Sequence, residues 1–226
     1  MTSRTTHTPC PEQGTALLAV LMVVTVLATL SAAVVLVTTI ESRAAGNHEV
    51  AQFALYAADG ALEQTISELW AADWRSVPGH LVSEHLLDVT TPPRAPDGSI
   101  LDFGRLTTSR QAESDVVFAP SPNRPRWYLF AHAAFSDLVP SGVVVPPVYL
   151  LVWMADDGDE SDGEPERDSN GIVLVRAEAL AASGARRSIE ATLSRERGPT
   201  PGSAEPGGDP PVLRQAVRIL SWREVR

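Results

Sequence analysis

The chain has no lysine, so its 18 basic residues are all arginine, and it has only one cysteine. A lone thiol cannot form an internal disulfide, and Cys10 has no apolar stretch before it, which rules out a lipoprotein cleavage site. It reads as an inert thiol. Positive charge is scarce as well as dispersed: the formal net charge is −10 and no basic cluster occurs. Phosphate backbones require clustered cations, which excludes nucleic acid as a partner. Also missing are a Gly-x-Ser-x-Gly elbow, a phosphate loop and a cysteine pair. His80 and His85 stand five apart, a spacing that does not suit a zinc peptidase. With no nucleophile or acid/base constellation, the chain is expected not to be an enzyme and no catalytic residue is assigned.

What is present begins with a charge-free run from Thr15 to Ile40, 26 residues long. As a helix rising about 1.5 Å per residue it exceeds the ~30 Å hydrocarbon core of a bilayer. It is expected to be a single-pass membrane anchor. A cleaved signal peptide, with Ser31-Ala-Ala33 as the cut, is the alternative, but the apolar stretch is too long for it. Arg4 and Arg43 lie on opposite flanks, so charge counting does not set the orientation. The long acidic region after the anchor is placed outside the cytoplasm, and its size suits one soluble domain.

The helix is expected to continue past the membrane over 41–77. Leu55, Ala58, Leu62, Ile66 and Leu69 recur at gaps of 3, 4, 4 and 3, with Phe53, Ala57 and Ala61 in an adjacent row. Such a stripe must pack on something. Val77-Pro-Gly79 supplies the stop, with the helix reaching about Ser76.

Three segments then agree in order and spacing. They are Gly14 followed by Thr-Ala-Leu-Leu-Ala-Val-Leu-Met, then Glu41-Ser-Arg-Ala-Ala-Gly-Asn47, then Phe53-Ala-Leu-Tyr-Ala-Ala-Asp-Gly-Ala-Leu-Glu63. Residues 12–65 thereby resemble the N-terminal region of PilX-type minor pilins of type IV pilus assembly. The resemblance implies a leader peptide over 1–14, cut by a prepilin peptidase after Gly14, with methylation of the new terminus at Thr15. It further implies an assembly helix in which Ala19, Glu41, Arg43, Gly46 and Asn47 take part. The implied partners are other pilin subunits and the inner-membrane assembly machinery, and the implied location is the bacterial inner membrane with the C-terminal region periplasmic. Two positions depart from the wider pilin pattern. Ala19 stands where major pilins carry a glutamate, and Glu12-Gln13 stand where basic residues usually precede the glycine. A subunit without that glutamate could not neutralise a neighbour's buried terminal ammonium, which suits a tip or initiation position.

After Pro78 the periodicity becomes strand-like. Strands are predicted at Ile100–Thr107, Asp115–Ala119, Arg126–Phe135, Val148–Met154, Gly171–Ala181, Arg186–Arg195 and Leu213–Arg223. Ala182-Ser-Gly184 reads as a hairpin turn. In the strand that follows, Arg187, Ile189, Ala191 and Leu193 share one side. Residues 198–211, rich in Pro and Gly, read as a loop. The fold class is therefore α+β, a long N-terminal transmembrane and amphipathic helix packed on a C-terminal antiparallel sheet over 78–226, the pilin-like layout.

One segment has the density of a binding site. Residues 156–171 carry seven of the ten excess negative charges, and Asp156, Asp157, Asp159, Asp162 and Asp168 are the candidate ligands for calcium, the one cofactor considered. Asp157, Asp159 and Ser161 match the start of an EF-hand loop, but Asp162 replaces the required glycine and Asp168 the final glutamate. The loop is thus not an EF-hand, and a solvated acidic turn is the competing reading. Two further classes of function remain open: an uncleaved, membrane-tethered periplasmic binding domain, calcium-dependent or not, and a membrane-bound enzyme. His132 is expected to be a satisfied core histidine. The five tryptophans (Trp70, Trp74, Trp127, Trp153, Trp222) are expected to pack in the core, with a surface adhesion patch as the alternative.

Overall fold

The computed structural model describes residues 12–70, 74, 93–119, 124–160, 162–182, 184–196 and 216–225. The chain divides into two compact units, Met1–His48 and Glu49–Arg226. The fold class is α+β: a long apolar N-terminal helix and a C-terminal antiparallel sheet of five strands.

Helix α1 (Glu12–Leu69) runs without interruption through 58 residues. Gly14 lies inside its first turn. In the first unit every residue from Thr15 onward is exposed, including Leu17, Val20, Leu27, Leu30, Val35 and Ile40. Among the described residues none of these side chains is covered, and by length and composition the helix can cross a membrane. Its hydroxyls do not spoil that character. Thr25, Thr29, Ser31, Thr38 and Thr39 each donate to a backbone carbonyl three or four residues earlier at 2.8 Å, so no donor is left to solvate.

Within the second unit, α1 buries one face against the sheet. Ala54, Ala57, Ala58, Ala61, Leu62, Thr65 and Leu69 are fully covered, while Leu55 and Ile66 sit half-buried at the margins. Relative to the expected stripe, the buried face is rotated toward the alanine row. Small side chains let a helix backbone approach a sheet closely, and they meet Ala177, Ala179, Ala181 and Ala191 in the same core. Thr65 tolerates burial because its hydroxyl donates to Ala61 O at 2.8 Å. The helix ends at Leu69, short of the expected Ser76. Trp74 provides the reason: its buried indole donates to Leu69 O at 3.0 Å and takes one of the carbonyls a helix end leaves open. The expected Pro78 stop lies outside the described residues.

Strands β1 (Tyr128–Ala134), β2 (Val148–Asp156), β3 (Ile172–Ala181), β4 (Arg186–Glu196) and β5 (Ala216–Val225) pair antiparallel in chain order. All nine residues of β2 are buried. Val148, Leu150, Val152 and Met154 join α1's core and Tyr149, Leu151, Trp153 and Ala155 a second core, which explains why this strand reads as a continuous apolar run rather than an alternation. The alternation expected for β4 holds, with Ile189, Ala191 and Leu193 in α1's core. The 181–185 hairpin closes through Ala181 N–H to Ala185 O at 2.9 Å, with Gly184 at φ +76°. Register shifts interrupt both outer pairings, between Leu129 and Ala131 in β1–β2 and between Thr192 and Leu193 in β4–β5, where Ser221 and Ile219 face successive β4 residues. Each is a bulge carried by an edge strand.

The second core is covered by an element the strand reading does not anticipate. The segments Ile100–Thr107 and Asp115–Ala119, predicted as strands, belong to helix α2 (Phe103–Val117) and its flanks. Asp102 caps it, its carboxylate accepting from Arg105 N–H at 3.0 Å. The inward positions are Phe103, Leu106, Thr107, Arg110, Gln111 and Ser114, a helical stripe in which four of the six residues are polar. Apolar periodicity misses such a face.

Candidate functional site

The β2–β3 connection turns at the acidic segment, and there the chain buries carboxylates instead of presenting them. Asp156 is the last residue of β2 and is fully inaccessible; Asp157, Glu160 and Asp168 are each about 5% exposed or less. Oxygens of Asp156, Glu160 and Asp168 lie within 4.8 Å of one another. Of the five candidate ligands, then, Asp156 and Asp168 converge, Asp157 lies alongside, and Asp159 and Asp162 point to solvent. Glu160 belongs to the convergent set although the spacing of aspartates did not single it out.

The turn is rigidified by its own backbone. Glu160 Oε1 accepts from Ser169 N–H (3.0 Å) and Asn170 N–H (2.7 Å), and its Oε2 from the Ser169 hydroxyl (2.7 Å). Asp168 Oδ1 accepts from Gly171 N–H (2.7 Å) and Ile172 N–H (3.1 Å). Asp157 receives the Asn170 amide at 2.9 Å. Gly171 supports this geometry with φ +82°, and an added Cβ would stand 3.5 Å from Arg195 O.

Electrostatics follow from that packing. Burial, then the carboxylates of Glu160, Asp157 and Asp168, push Asp156 up to about 8. Burial also raises Asp157 and Asp168, against the hydrogen bonds that favour their charged forms. Exposed Asp162 goes the other way, lowered chiefly by the Glu164 N–H it accepts. Asp156 therefore keeps its proton near neutral pH unless a hard cation, whose oxygen-rich coordination suits this donor set, takes its place.

A second charged assembly lies beneath α2, unforeseen because its members are scattered in sequence. Arg186, Glu178, Arg110, Glu113, Arg176, Glu190 and Arg223 form one connected ladder with alternating sign across α2, β3, β4 and β5. Glu178 is fully buried; it takes Arg110 at 3.2 Å, the Arg186 guanidinium and the Ser188 hydroxyl at 3.3 Å. Glu113 joins Arg110 (2.6 Å) to Arg176 (3.1 Å). Burial raises Glu178 to about 7 even though Arg110 and Arg176 oppose it. The Arg110 guanidinium also lies 5.8 Å from the centre of the Trp153 ring.

The remaining candidates are ordinary. His132 is buried, its Nδ1 2.9 Å from Tyr149 Oη and its ring 4.4 Å from that of Phe103, so it is a satisfied core residue as expected. Trp74, Trp127 and Trp153 are core side chains, but Trp70 and Trp222 are about half exposed, against the expectation for all five. Trp222 lies on an edge strand beyond the reach of the central core. His80, His85 and the 198–211 loop lie outside the described residues. A cavity of about 350 Å³ opens beside the acidic turn, with Val117, Phe118, Ile172, Leu174 and Leu220 as its apolar lining and Glu190 and Arg223 at its edge. Compared with protein-family models, curated proteins and solved structures, the chain matches none.

Proposed function

We propose that the chain is a minor pilin-like structural subunit, anchored in the inner membrane and incorporated at low copy into a type IV pilus or related filament. The supporting observation is the helix itself. Its N-terminal part is apolar and exposed on all sides, and the same unbroken helix goes on to bury an alanine-rich face on an antiparallel sheet. An apolar helix left exposed over Thr15–Ile40 among the described residues needs an apolar environment, in this reading first lipid and later the equivalent helices of neighbouring subunits. In this reading Gly14 is the cleavage site and Thr15 the mature terminus. The absence of a carboxylate at Ala19 for a neighbour's ammonium supports a position at a tip or in the initiation complex.

The test is N-terminal analysis of the membrane-extracted protein, together with the composition of sheared surface filaments. Maturation at Thr15, lost in Gly14→Glu together with incorporation, supports the proposal. An intact Met1 and filaments free of this chain overturn it.

The buried triad of Asp156, Glu160 and Asp168 favours a second reading, an uncleaved membrane-tethered periplasmic domain that binds calcium. Processing separates the two, since a tether requires no cut at Gly14.

A further inference from the structure

We propose that the loop joining β1 to β2 is a second contact with the bilayer, resting in the headgroup layer of the membrane that the N-terminal run crosses. The occupant is a lipid surface. The inference rests on the membrane anchor alone and is the same whether or not Gly14 is cut. Leu138-Val-Pro-Ser-Gly-Val-Val-Val-Pro-Pro147 has ten residues and no charge, and Ser141 carries its sole polar side chain. So apolar a stretch is nevertheless bare: Val144 is 98% exposed, Val143 53% and Leu138 38%, with Pro140, Pro146 and Pro147 exposed beside them. Contiguous apolar surface of this kind marks a contact. Its presentation is fixed rather than slack. Val143 N–H donates to Pro140 O at 3.2 Å across a turn whose third residue, Gly142, stands at φ +94°, and the three prolines hold their own φ, so little ordering is lost on docking.

Within the Glu49–Arg226 unit, this loop leaves the sheet at the end where α1 enters it. Phe135, which opens the connection, packs edge-on against Phe53 with ring centres 5.4 Å apart, and Val50 and Ala185 border the same core. Strand β2 runs from there to the acidic turn, so the densest negative charge of the chain sits at the opposite end, together with Arg195 beside Trp74. The tether then limits how far the loop can lie from lipid. Phe53 stands thirteen residues beyond Ile40, where the charge-free run ends, and in α1 that is about 20 Å of helix. The headgroup layer takes up about 5–7 Å of it, and a five-residue arm of the loop spans up to about 17 Å. The loop is long enough to touch the surface. Because the anchor already holds the unit at the membrane, the second contact is intramolecular, and the modest affinity of a few valine, leucine and proline side chains suffices. The charge next to the loop is Asp137, an acid, so the contact draws on apolar burial rather than on anionic lipid.

Depth-dependent fluorescence quenching tests this on the full-length protein with Cys10→Ser, reconstituted at low density into phosphatidylcholine vesicles. Single cysteines carry an environment-sensitive dye at Val144→Cys in the loop, at Asp162→Cys on the acidic turn and at Val26→Cys in the anchor, all exposed positions that leave the packing intact. The quencher is phosphatidylcholine spin-labelled near its headgroup. The expected result is quenching at 144 at least about twofold stronger than at 162, unchanged by high salt and abolished when Val143→Asp is added. Equal quenching at 144 and 162, with 26 quenched, overturns the loop contact and leaves the anchor standing. No quenching at 26 overturns both. A blue-shifted emission at 144 that vanishes when the protein is diluted in lipid assigns the loop to a second copy of the chain, which also overturns the proposal.

Discussion

Replacing Asp156 by asparagine should stabilise the Glu49–Arg226 unit at pH 8 while leaving it nearly unchanged at pH 4. The wild-type carboxyl has a folded-state value of about 8 against 3.8 for an unperturbed aspartate, so the folded chain binds more protons than the unfolded chain between those limits. Stability from this group is complete below pH 4 and is lost as pH rises toward 8. Four units at about 1.4 kcal/mol each set a ceiling of about 6 kcal/mol, and screening by solvent near the turn reduces this by half, to about 3 kcal/mol. Asparagine keeps the shape and carries no charge to bury beside Glu160, Asp157 and Asp168. Thermal unfolding followed by circular dichroism should then show Asp156→Asn melting about 6–12 °C above wild type at pH 8 and level with it at pH 4. A cation would relieve the same repulsion, so millimolar calcium should raise the wild-type melting temperature at pH 8 and raise the variant's less. A variant less stable than wild type at pH 8, or a difference that does not change with pH, refutes the electrostatic reasoning.

Other perturbations test the remaining features. Leu62→Ala should cost about 2–5 kcal/mol in chemical denaturation, because the side chain is fully enclosed between α1 and the sheet. Ala58→Leu should cost about 1–3 kcal/mol by overpacking the same contact, whereas the substitution at exposed Gln52 should leave the denaturation midpoint in place. Val26→Arg places a charge mid-span at about 3 kcal/mol and should shift the chain from the membrane to the soluble or aggregated fraction on carbonate extraction. Gly171→Ala forces a side chain into φ +82° and should lower stability by about 1 kcal/mol or more, measured by the same denaturation.

The parts of the fold that could be read in advance are those where a single periodicity holds. The run Thr15–Ile40, the half-buried alternation of β4 and the Gly184 hairpin each carry one local signal, and the structure bears these out. Helix α2 escapes apolar periodicity because its inward face mixes Phe103 and Leu106 with Thr107, Arg110, Gln111 and Ser114, and only tertiary pairing makes those polar positions interior. At the acidic turn the density of charge was visible, but not its sorting. Backbone donors from Ser169 and Asn170 draw Glu160 inward, whereas Asp159 and Asp162 stay wet, and no spacing rule encodes that choice. The ladder around Glu178 joins residues up to 113 positions apart, from Arg110 to Arg223, and so had no local signature.

The irregular β1 and β5 margins bear on how copies of this molecule can come together. A straight outer strand offers a ready template for another chain, and a local extra residue disrupts the repeat of donors and acceptors that such templating needs. With Leu129/Ala131 breaking one rim and the Ile219–Ser221 step breaking the other, ribbon-like growth from molecule to molecule is disfavoured at both described margins. If the chain assembles as proposed, copies would therefore have to meet through surfaces other than these two strand margins.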